Sequence, residues 1–339
     1  MNAVIDDATF KRARARAAHR LVSTLDLTRE EWLQIRRQGL GSSDAAAAVG
    51  LNPYCSPLEL WLEKTGQDQH LPEDDPNDDR SPMFWGSFLE GLVATQYGRR
   101  TGRQVRRVNA VLQHPEQPWM LANLDREVLG CADVQILECK TAGLNGARLW
   151  KDGVPEYVQL QVMHQLAVTG KRAADVAVLI CGQDLQIHRI ERDEVMISQL
   201  IELEREFWGR VERREAPPTD GSDSCAQALK ALYPRSQEQT IDLRHEPEHA
   251  ATFSALLQVR AQLDEIQQRE SQLKQQLQAR LGAAARALFP NGTISWKSTQ
   301  DRTELDVERL LQEQPDLLQR YARTRAGQRR FLVQPASLR

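Results

Sequence analysis

Two short segments near the middle of the chain alternate apolar and polar residues in the manner of β-strands. Residues 120–128 form the first segment, residues 132–141 form the second, and Gly130 lies between them. The pattern predicts a β-hairpin. Because side chains along a strand alternate between its two faces, Glu138 and Lys140 are expected to project from the same face.

Helical periodicity and capping signals predict helices on both sides of this hairpin. Thr28 and Glu31 have the spacing of a capping box, and Ser56 precedes a helix that Gly66 closes. Further helices are predicted at residues 84–97, 155–170 and 194–215, and further strands at residues 174–181 and 185–190. Strands and helices that alternate in this way indicate an α/β domain.

The pattern changes after a Pro- and Gly-containing boundary at residues 217–222. Residues 247–281 read as one long helix with a heptad repeat, whose apolar positions are Leu256, Val259, Leu263, Ile266, Leu273 and Leu277, interrupted by Glu270. The repeat predicts a coiled-coil or helical-hairpin seam, and the partner is either another helix of this chain or a second copy. Strands at residues 294–297 and 330–333 around a helix at 306–320 predict a small α+β tail.

These patterns divide the chain into five predicted regions. They are a basic N-terminal arm at residues 1–27, an α/β domain at 28–216, a linker at 217–246, a coiled-coil-like helix at 247–283 and the tail at 284–339. The arm, with Lys11, Arg12, Arg14, Arg16 and Arg20, is interpreted as a solvated tail or as a contact to a polyanion.

Composition narrows the class of protein. The chain has 339 residues, of which 41% are hydrophobic and 27% charged, and its formal net charge is -3. This net charge neither indicates nor excludes a nucleic-acid-binding protein, because a phosphate-binding groove needs only a local basic stripe. Its five cysteines show no C-x-x-C spacing, which argues against an iron-sulfur cluster or structural zinc and fits a reducing cytoplasm. No apolar run is long enough to span a membrane, so a soluble, cytoplasmic protein is expected.

The predicted hairpin carries a candidate catalytic group. Asp125 on the first strand adds a carboxylate beside Glu138 and Lys140, and paired carboxylates suit Mg²⁺ or Mn²⁺. An amine beside such a pair is the chemistry of metal-assisted phosphodiester hydrolysis. The alternative is a cross-strand salt bridge on a solvated face, but the apolar residues around Glu138 favour a buried strand.

Two helices offer further candidate residues for this site. Glu90 lies among apolar residues, and it either caps or salt-bridges locally or faces the Asp125 and Glu138 cluster. Gln161 lies on a helical stripe together with Tyr157 and His164. Its amide could hold a water or touch a DNA backbone, or the helix could simply be exposed.

A second candidate site binds anions. Ser42 and Ser43 precede a short helix, and Arg36 or Arg37 lies nearby in the sequence, so free backbone N–H groups, hydroxyls and a guanidinium could form a phosphate pocket. Plain helix capping by Ser43 is the alternative. The basic run at residues 98–108 is interpreted either as a phosphate contact or as a solvated surface.

Six short motifs occur in order and at close spacing. They are Gly41-Ser-Ser43-Asp44-Ala, Ser56-Pro57-Leu-Glu-Leu with Lys64-Thr65-Gly66, Gly86 with Glu90, Leu121-Ala-Asn-Leu-Asp125, Leu137-Glu138-Cys-Lys140-Thr141, and Gln161-Val162 with His164-Gln165-Leu166. Together they closely resemble the YqaJ-type viral recombinase family, relatives of phage lambda exonuclease within the PD-(D/E)xK nuclease superfamily. The resemblance covers roughly residues 32–208 and implies a central mixed sheet flanked by helices.

The resemblance also implies a function. It suggests a Mg²⁺-dependent exonuclease that digests linear double-stranded DNA from a 5′ end and leaves a 3′ overhang for a single-strand annealing protein. Glu90, Asp125 and Glu138 match the metal-binding acids, Lys140 the catalytic lysine and Gln161 the neighbouring polar position. Arg36 and Ser43 resemble a pocket for the terminal 5′-phosphate.

Several alternatives stay open alongside this expectation. An endonuclease acting on branched or single-stranded DNA and a non-catalytic DNA-recombination adaptor are the other hypotheses. A homo-oligomer, trimeric in the lambda-like branch, is expected from the resemblance alone. The chain departs from the family pattern at Met163, where members usually carry a second Gln, and it lacks a Pro before Asp125.

Overall fold

The computed structural model describes residues 18–72, 75, 77–324, 327 and 329–335. The chain forms two compact units, residues 1–234 and residues 235–339, which are considered separately. Residues 1–17, which hold most of the predicted basic arm, lie outside the described part of the chain.

A five-stranded mixed sheet is the centre of the first unit. Its order is β2-β5-β6-β7-β8, and β6 and β7 are parallel whereas the other pairs are antiparallel. The strands are β2 (Gln104–Arg107), β5 (Arg126–Leu129), β6 (Ile136–Ala142), β7 (Ala173–Ile180) and β8 (Asp184–Glu191). A smaller antiparallel sheet of order β1-β3-β4 contains β1 (His19–Ser23), β3 (Ala110–Gln113) and β4 (Leu121–Ala122).

Helices cover both faces of the central sheet. The first unit contains α1 (Arg29–Arg37), α2 (Ala45–Ala48), α3 (Pro57–Thr65), α4 (Pro82–Thr101), α5 (Glu156–Thr169), α6 (Glu194–Arg213) and α7 (Asp223–Leu232). Ile136 of β6 packs in the cluster that contains Val162 of α5, whereas its neighbour Leu137 packs with Val93 of α4. This alternation places α5 and α4 on opposite faces. The mixed sheet flanked by helices confirms the predicted fold class.

The capping signals are also found at the ends of the helices. The Thr28 side chain accepts a hydrogen bond from the Glu31 backbone N–H at the start of α1, and Glu31 returns the bond to complete the box. The Ser56 side chain caps α3 by accepting a hydrogen bond from the Glu59 backbone N–H, and Gly66 ends that helix in the left-handed conformation, which glycine adopts without a Cβ clash.

The first strand of the predicted hairpin is interrupted. Residues 120–128 form two short strands, β4 and β5, with Asp125 in the break between them. The cause is long-range pairing, since β4 pairs with β3 in the small sheet and β5 pairs with β2 and β6 in the large one. The prediction of one continuous strand was therefore wrong, whereas the β5–β6 pairing across Gly130 confirms the hairpin.

The structure places two boundaries of the α/β domain at other positions than the sequence predicted. His19–Ser23, within the predicted arm, forms β1 and pairs with β3. Within the predicted linker, α7 buries Cys225 and Ala228 in a cluster with Leu58 and Trp61 of α3. The first unit consequently continues to Pro234.

The second unit is dominated by a single helix. It contains α8 (Pro247–Leu281), the antiparallel hairpin β9 (Arg286–Phe289) and β10 (Gly292–Ser295), and the short helices α9 (Val307–Glu313) and α10 (Asp316–Tyr321). The predicted helix at 306–320 is broken at Pro315, which cannot continue a helix that precedes it, and residues 330–333 do not form the predicted strand. In the described part of the chain, no helix has the length and apolar character needed to cross a bilayer.

The surface of α8 carries the predicted apolar seam. No residue of this helix is buried, and five of its heptad positions are exposed: Val259, Leu263, Ile266, Leu273 and Leu277. Because these apolar side chains are exposed in the single chain, the coiled coil stays a prediction.

Candidate functional site

Asp125 lies where the chain crosses from the small sheet to the central sheet. Its Oδ2 accepts a hydrogen bond of 2.7 Å from the backbone N–H of Cys139. This bond ties the carboxylate to β6, next to Glu138. Burial raises the pKa of Asp125 to about 8, and the negative charge of Glu138 adds to the increase.

Glu138 and Lys140 occupy one face of β6, as predicted. Glu138 is only 3% exposed, and Lys140 Nζ lies 2.8 Å from its Oε1. Burial alone would lower the pKa of Lys140, but the charge of Glu138 and its hydrogen bond outweigh burial and raise it. The lysine is therefore held as an ammonium ion between its carboxylate partner and the surface.

Two glutamines of α5 hold these side chains in place. Gln161 Nε2 donates to Glu138 Oε1 at 2.6 Å, and Gln161 Oε1 accepts from Lys140 Nζ at 2.9 Å. Gln165, one helical turn further on, is fully buried and donates from Nε2 to Glu138 Oε2 at 2.7 Å. Both carboxylate oxygens of Glu138 thus accept a bond from α5. Sequence reasoning missed the role of Gln165, although its spacing of four from Gln161 was the available signal.

Glu90 has a different partner. Its Oε1 lies 2.5 Å from Arg126 Nη1 and 3.6 Å from Arg107 Nη2. Arg126 is largely buried and also donates to the backbone oxygen of Asp125 at 2.6 Å. Glu90 therefore forms a salt bridge, but with Arg126, which is 36 positions away and adjacent to Asp125, rather than with a residue of its own helix.

The three predicted acids interact electrostatically, but their partners differ. Asp125 and Glu138 are neighbours, and the charge of Glu90 also raises the pKa of Asp125, while the Glu90 carboxylate is bound to Arg126. Across residues 18–72, 75, 77–324, 327 and 329–335, no group of three or more His, Cys, Asp or Glu side chains is arranged to hold a metal ion. Lys140 and Gln161 join the Asp125 and Glu138 pair, so four of the five predicted residues meet.

The pair nevertheless has the chemistry of a divalent-cation site. Carboxylate oxygens are the preferred ligands of Mg²⁺ and Mn²⁺. The elevated pKa of Asp125 reports an excess of negative charge in a poorly solvated place, which a cation would relieve. The residues present therefore fit a divalent ion held by Asp125 and Glu138.

The residues predicted to bind an anion lie together, with two residues that the sequence analysis did not assign to this site. Arg36 Nη2 donates to Ser43 Oγ at 3.0 Å and pairs with the buried Asp44, and Lys64 Nζ lies 2.5 Å from Asp44 Oδ2. Burial would raise the pKa of Asp44, but the two cations hold it well below its usual range. Ser42 is buried in the same turn, whereas Ser43 is exposed.

Arg36 and Lys64 border an open cavity of about 940 Å³. Trp32, whose ring lies 4.9 Å from the Arg36 guanidinium carbon, lines the same cavity. Met83 and Ser87 of α4 also line it, and Glu90 follows Ser87 by one helical turn. The cavity therefore extends from the anion site to the helix that carries Glu90.

The basic run at residues 98–108 serves two different purposes. Arg103 pairs with the buried Asp175 at 2.9 Å and is part of the structure. Arg106 and Arg107 instead line a second open cavity of about 940 Å³, together with Arg20 and Lys171. Glu127 contacts two of these four cations, so the lining keeps an excess of positive charge.

Comparisons with known proteins give the chain a family. Residues 31–172 match the model of the YqaJ-like viral recombinase domain. The YqaJ protein of Bacillus subtilis strain 168 is 34% identical over 311 residues, which cover 90% of this chain and 94% of that protein.

Solved structures of other proteins align with part of the chain. An alkaline exonuclease, LHK-Exo, from Laribacter hongkongensis is 22% identical and covers 55% of this chain and 94% of its own, with a TM-score of 0.46. A phage related exonuclease from Haemophilus somnus 129PT is 9% identical and covers 54% of this chain and 99% of its own, with a TM-score of 0.35. On the strength of the family model and the Bacillus relative, the chain belongs to the YqaJ-like viral recombinase family, as its motifs predicted.

Proposed function

We propose that this chain is a metal-dependent deoxyribonuclease that hydrolyses phosphodiester bonds at the ends of linear double-stranded DNA. The observation that carries the proposal is the contact of Lys140 Nζ with Glu138 Oε1 and Gln161 Oε1, with Asp125 alongside. A salt bridge on a solvated surface would not need a buried Glu138 whose two oxygens are both bound by glutamines. The family assignment points to the same class of chemistry.

Asp125 and Glu138 would hold the Mg²⁺, and Mn²⁺ would fit the same oxygens. When bound, such an ion lowers the pKa of water and offsets negative charge on the phosphate. Glu90 is a proposed third ligand, and it would first have to leave Arg126. Metal binding by Asp125 and Glu138 is therefore one proposal, and the participation of Glu90 as a third ligand is a second, separate proposal.

The protein groups have distinct roles in the proposed reaction. Water attacks phosphorus and gives up a proton to solvent, the bond between phosphorus and the 3′ oxygen breaks, and the leaving 3′ oxygen takes a proton from solvent, which leaves a 5′-phosphate and a 3′-hydroxyl. Lys140 is held as an ammonium ion, so it acts by binding and stabilising the phosphate oxygens rather than by removing a proton. Gln161 fixes the distance between Lys140 and Glu138.

End recognition is proposed for the Arg36, Ser43 and Lys64 site. A terminal 5′-phosphate would bring two charges to the guanidinium, the ammonium and the exposed hydroxyl, in competition with Asp44. Holding that phosphate would make digestion run 5′ to 3′ and leave a 3′ overhang. A single-strand annealing protein is the proposed recipient of the overhang, and the apolar seam of α8 is the proposed contact for a homo-oligomer.

A four-substrate assay tests the function. We expect the wild-type protein with Mg²⁺ to release nucleotides from linear duplex DNA with 5′-phosphate ends, more slowly from 5′-hydroxyl ends and not from closed circles, and EDTA to stop the reaction. Cleavage of closed circles or branched DNA at an equal rate would establish the endonuclease alternative. DNA binding without any cleavage, in Mg²⁺ or Mn²⁺, would establish the adaptor.

A further inference from the structure

Tyr54 exposes an aromatic ring and contacts Tyr157, which lies close to the group formed by Asp125, Glu138, Lys140 and Gln161, called the Lys140 cluster below. Its side chain is 62% exposed, although it packs against the partly buried Tyr157. The two rings meet edge to face, with centroids 5.9 Å apart and planes at 89°. The contact gives Tyr54 a fixed neighbour while most of its surface stays open.

Tyr157 connects this pair to the proposed catalytic residues. It precedes Gln161 by four positions on α5, so the two side chains lie on the same face of the helix. Gln161 in turn accepts the hydrogen bond from Lys140. Burial raises the pKa of Tyr157 and the positive charge of Lys140 opposes that increase, which is consistent with their proximity.

The loop that carries Tyr54 connects the two segments of the chain that supply the residues of the proposed anion site. It links α2, which follows Ser43 and Asp44, to α3, which carries Lys64. Asn52 Oδ1 accepts hydrogen bonds from the backbone N–H groups of Tyr54 at 2.8 Å and Cys55 at 3.2 Å. This turn holds the loop in one conformation, so the ring is positioned before any ligand arrives.

We propose that Tyr54 stacks on a nucleobase of the DNA end, between the site for the terminal 5′-phosphate and the Lys140 cluster. The inference rests on the proposed function and adds a contact to the base, whereas the groups described above recognise only phosphate. Aromatic rings stack on any of the four bases, so the contact suits a nuclease without sequence preference. It would limit the movement of the terminal nucleotides and raise the affinity for the end.

The test pairs Tyr54 variants with substrates that lack a base. Tyr54→Ala should raise KM on natural linear duplex by roughly 5- to 150-fold, with kcat little changed, because stacking on one base is worth about 1–3 kcal/mol. Tyr54→Phe keeps the ring and should behave as the wild type. On duplex that is abasic at its first two 5′ positions, the wild type and Tyr54→Ala should become equal. Tyr233→Ala, at a residue that is 55% exposed, is the matched control.

Binding gives a readout that does not depend on catalysis. With 2-aminopurine at the 5′ end and EDTA present, the wild-type protein should quench the fluorescence and Tyr54→Ala should not. Equal KM values for Tyr54→Ala and wild type on natural DNA, or a Tyr54→Ala defect that persists unchanged on abasic DNA, would overturn the inference. A protein that cleaves nothing but still shows the Tyr54-dependent quenching would refute the nuclease and leave the stacking contact standing.

Discussion

Gln165 donates a hydrogen bond of 2.7 Å to Glu138 from a fully buried position, on the carboxylate oxygen that Gln161 leaves free. Its own Oε1 is buried and has no hydrogen-bond partner among the described residues. A buried oxygen without a hydrogen-bond partner lowers stability, so we expect that the Gln165 amide has the role of positioning Glu138.

Replacement of Gln165 by Leu should lower nuclease activity by about 10- to 100-fold, because Glu138 would lose the bond that fixes its orientation. Gln159→Leu is the control, since Gln159 is on the same helix but donates to the Val154 backbone oxygen. Circular dichroism should show both variants folded. A Gln165→Leu enzyme as active as the Gln159→Leu enzyme would show that Gln161 alone positions the carboxylate.

The salt bridge between Glu90 and Arg126 predicts that the three acids contribute unequally to metal binding. Isothermal titration with Mn²⁺ should show that Asp125→Asn and Glu138→Gln each weaken binding by at least about tenfold, whereas Glu90→Gln weakens it less. The expectation follows from the salt bridge of Glu90 to Arg126, which Glu90 would have to leave before its carboxylate could bind the ion. Equal losses for all three variants would make Glu90 a full ligand and the Arg126 contact a resting arrangement.

Arg36 and Arg37 are adjacent in sequence and provide a matched pair for the end-recognition proposal. Arg36 contacts Ser43 and borders Asp44, whereas Arg37 pairs with Asp68 at 2.7 Å. Arg36→Ala should raise KM for 5′-phosphorylated duplex by roughly 10- to 100-fold and change KM for 5′-hydroxyl duplex little, since a charged hydrogen bond contributes about 1.5–3 kcal/mol. If Arg37→Ala produced the same preference, the phosphate would lie elsewhere in the cavity.

Glu63 supplies a pH dependence that involves no metal. Burial, with repulsion from Asp44, raises the pKa of Glu63 to about 7, from an ordinary value of 4.5. Between these values the folded protein binds a proton that the unfolded chain releases, so stability falls as pH rises from about 4.5 to 7. Glu63→Gln should remove that fall, which amounts to at most about 3 kcal/mol. Thermal unfolding of both proteins across this range measures it, and Glu30→Gln on exposed α1 controls for the loss of one charge.

A pH profile for the Glu63→Gln variant that parallels the wild-type profile would contradict this assignment. The variant would then show that Glu63 is ionised at little cost in the folded state. In that case the cations Arg36 and Lys64 offset its burial fully.

Local signals predicted much of this fold from the sequence. Capping residues such as Thr28 and Ser56 set helix starts, because a helix end leaves backbone N–H groups that a nearby side chain must satisfy. Strand periodicity placed Glu138 and Lys140 on one face of β6. These features depend on neighbours within a few residues, which a sequence displays directly.

The features that the sequence did not predict depend on distant partners. Asp125 lies in a break between strands because β4 pairs with β3, a contact that local pattern does not encode. The partner of Glu90 is Arg126, 36 positions away, and a lone arginine at a strand start carries no sign of that pairing. Lys64 was noticed only as part of a motif, because its Asp44 partner is 20 positions away.

The most direct test of the account is the Mg²⁺-dependent release of nucleotides from 5′-phosphorylated linear duplex DNA by wild type, Lys140→Ala and Glu138→Gln. Stabilisation of phosphate charge by Lys140 predicts that the wild type digests the duplex and that each substitution lowers the rate by about 100-fold or more, with the fold retained. Variants that digest DNA as fast as the wild type would contradict the assignment of the Glu138 and Lys140 pair as the catalytic centre.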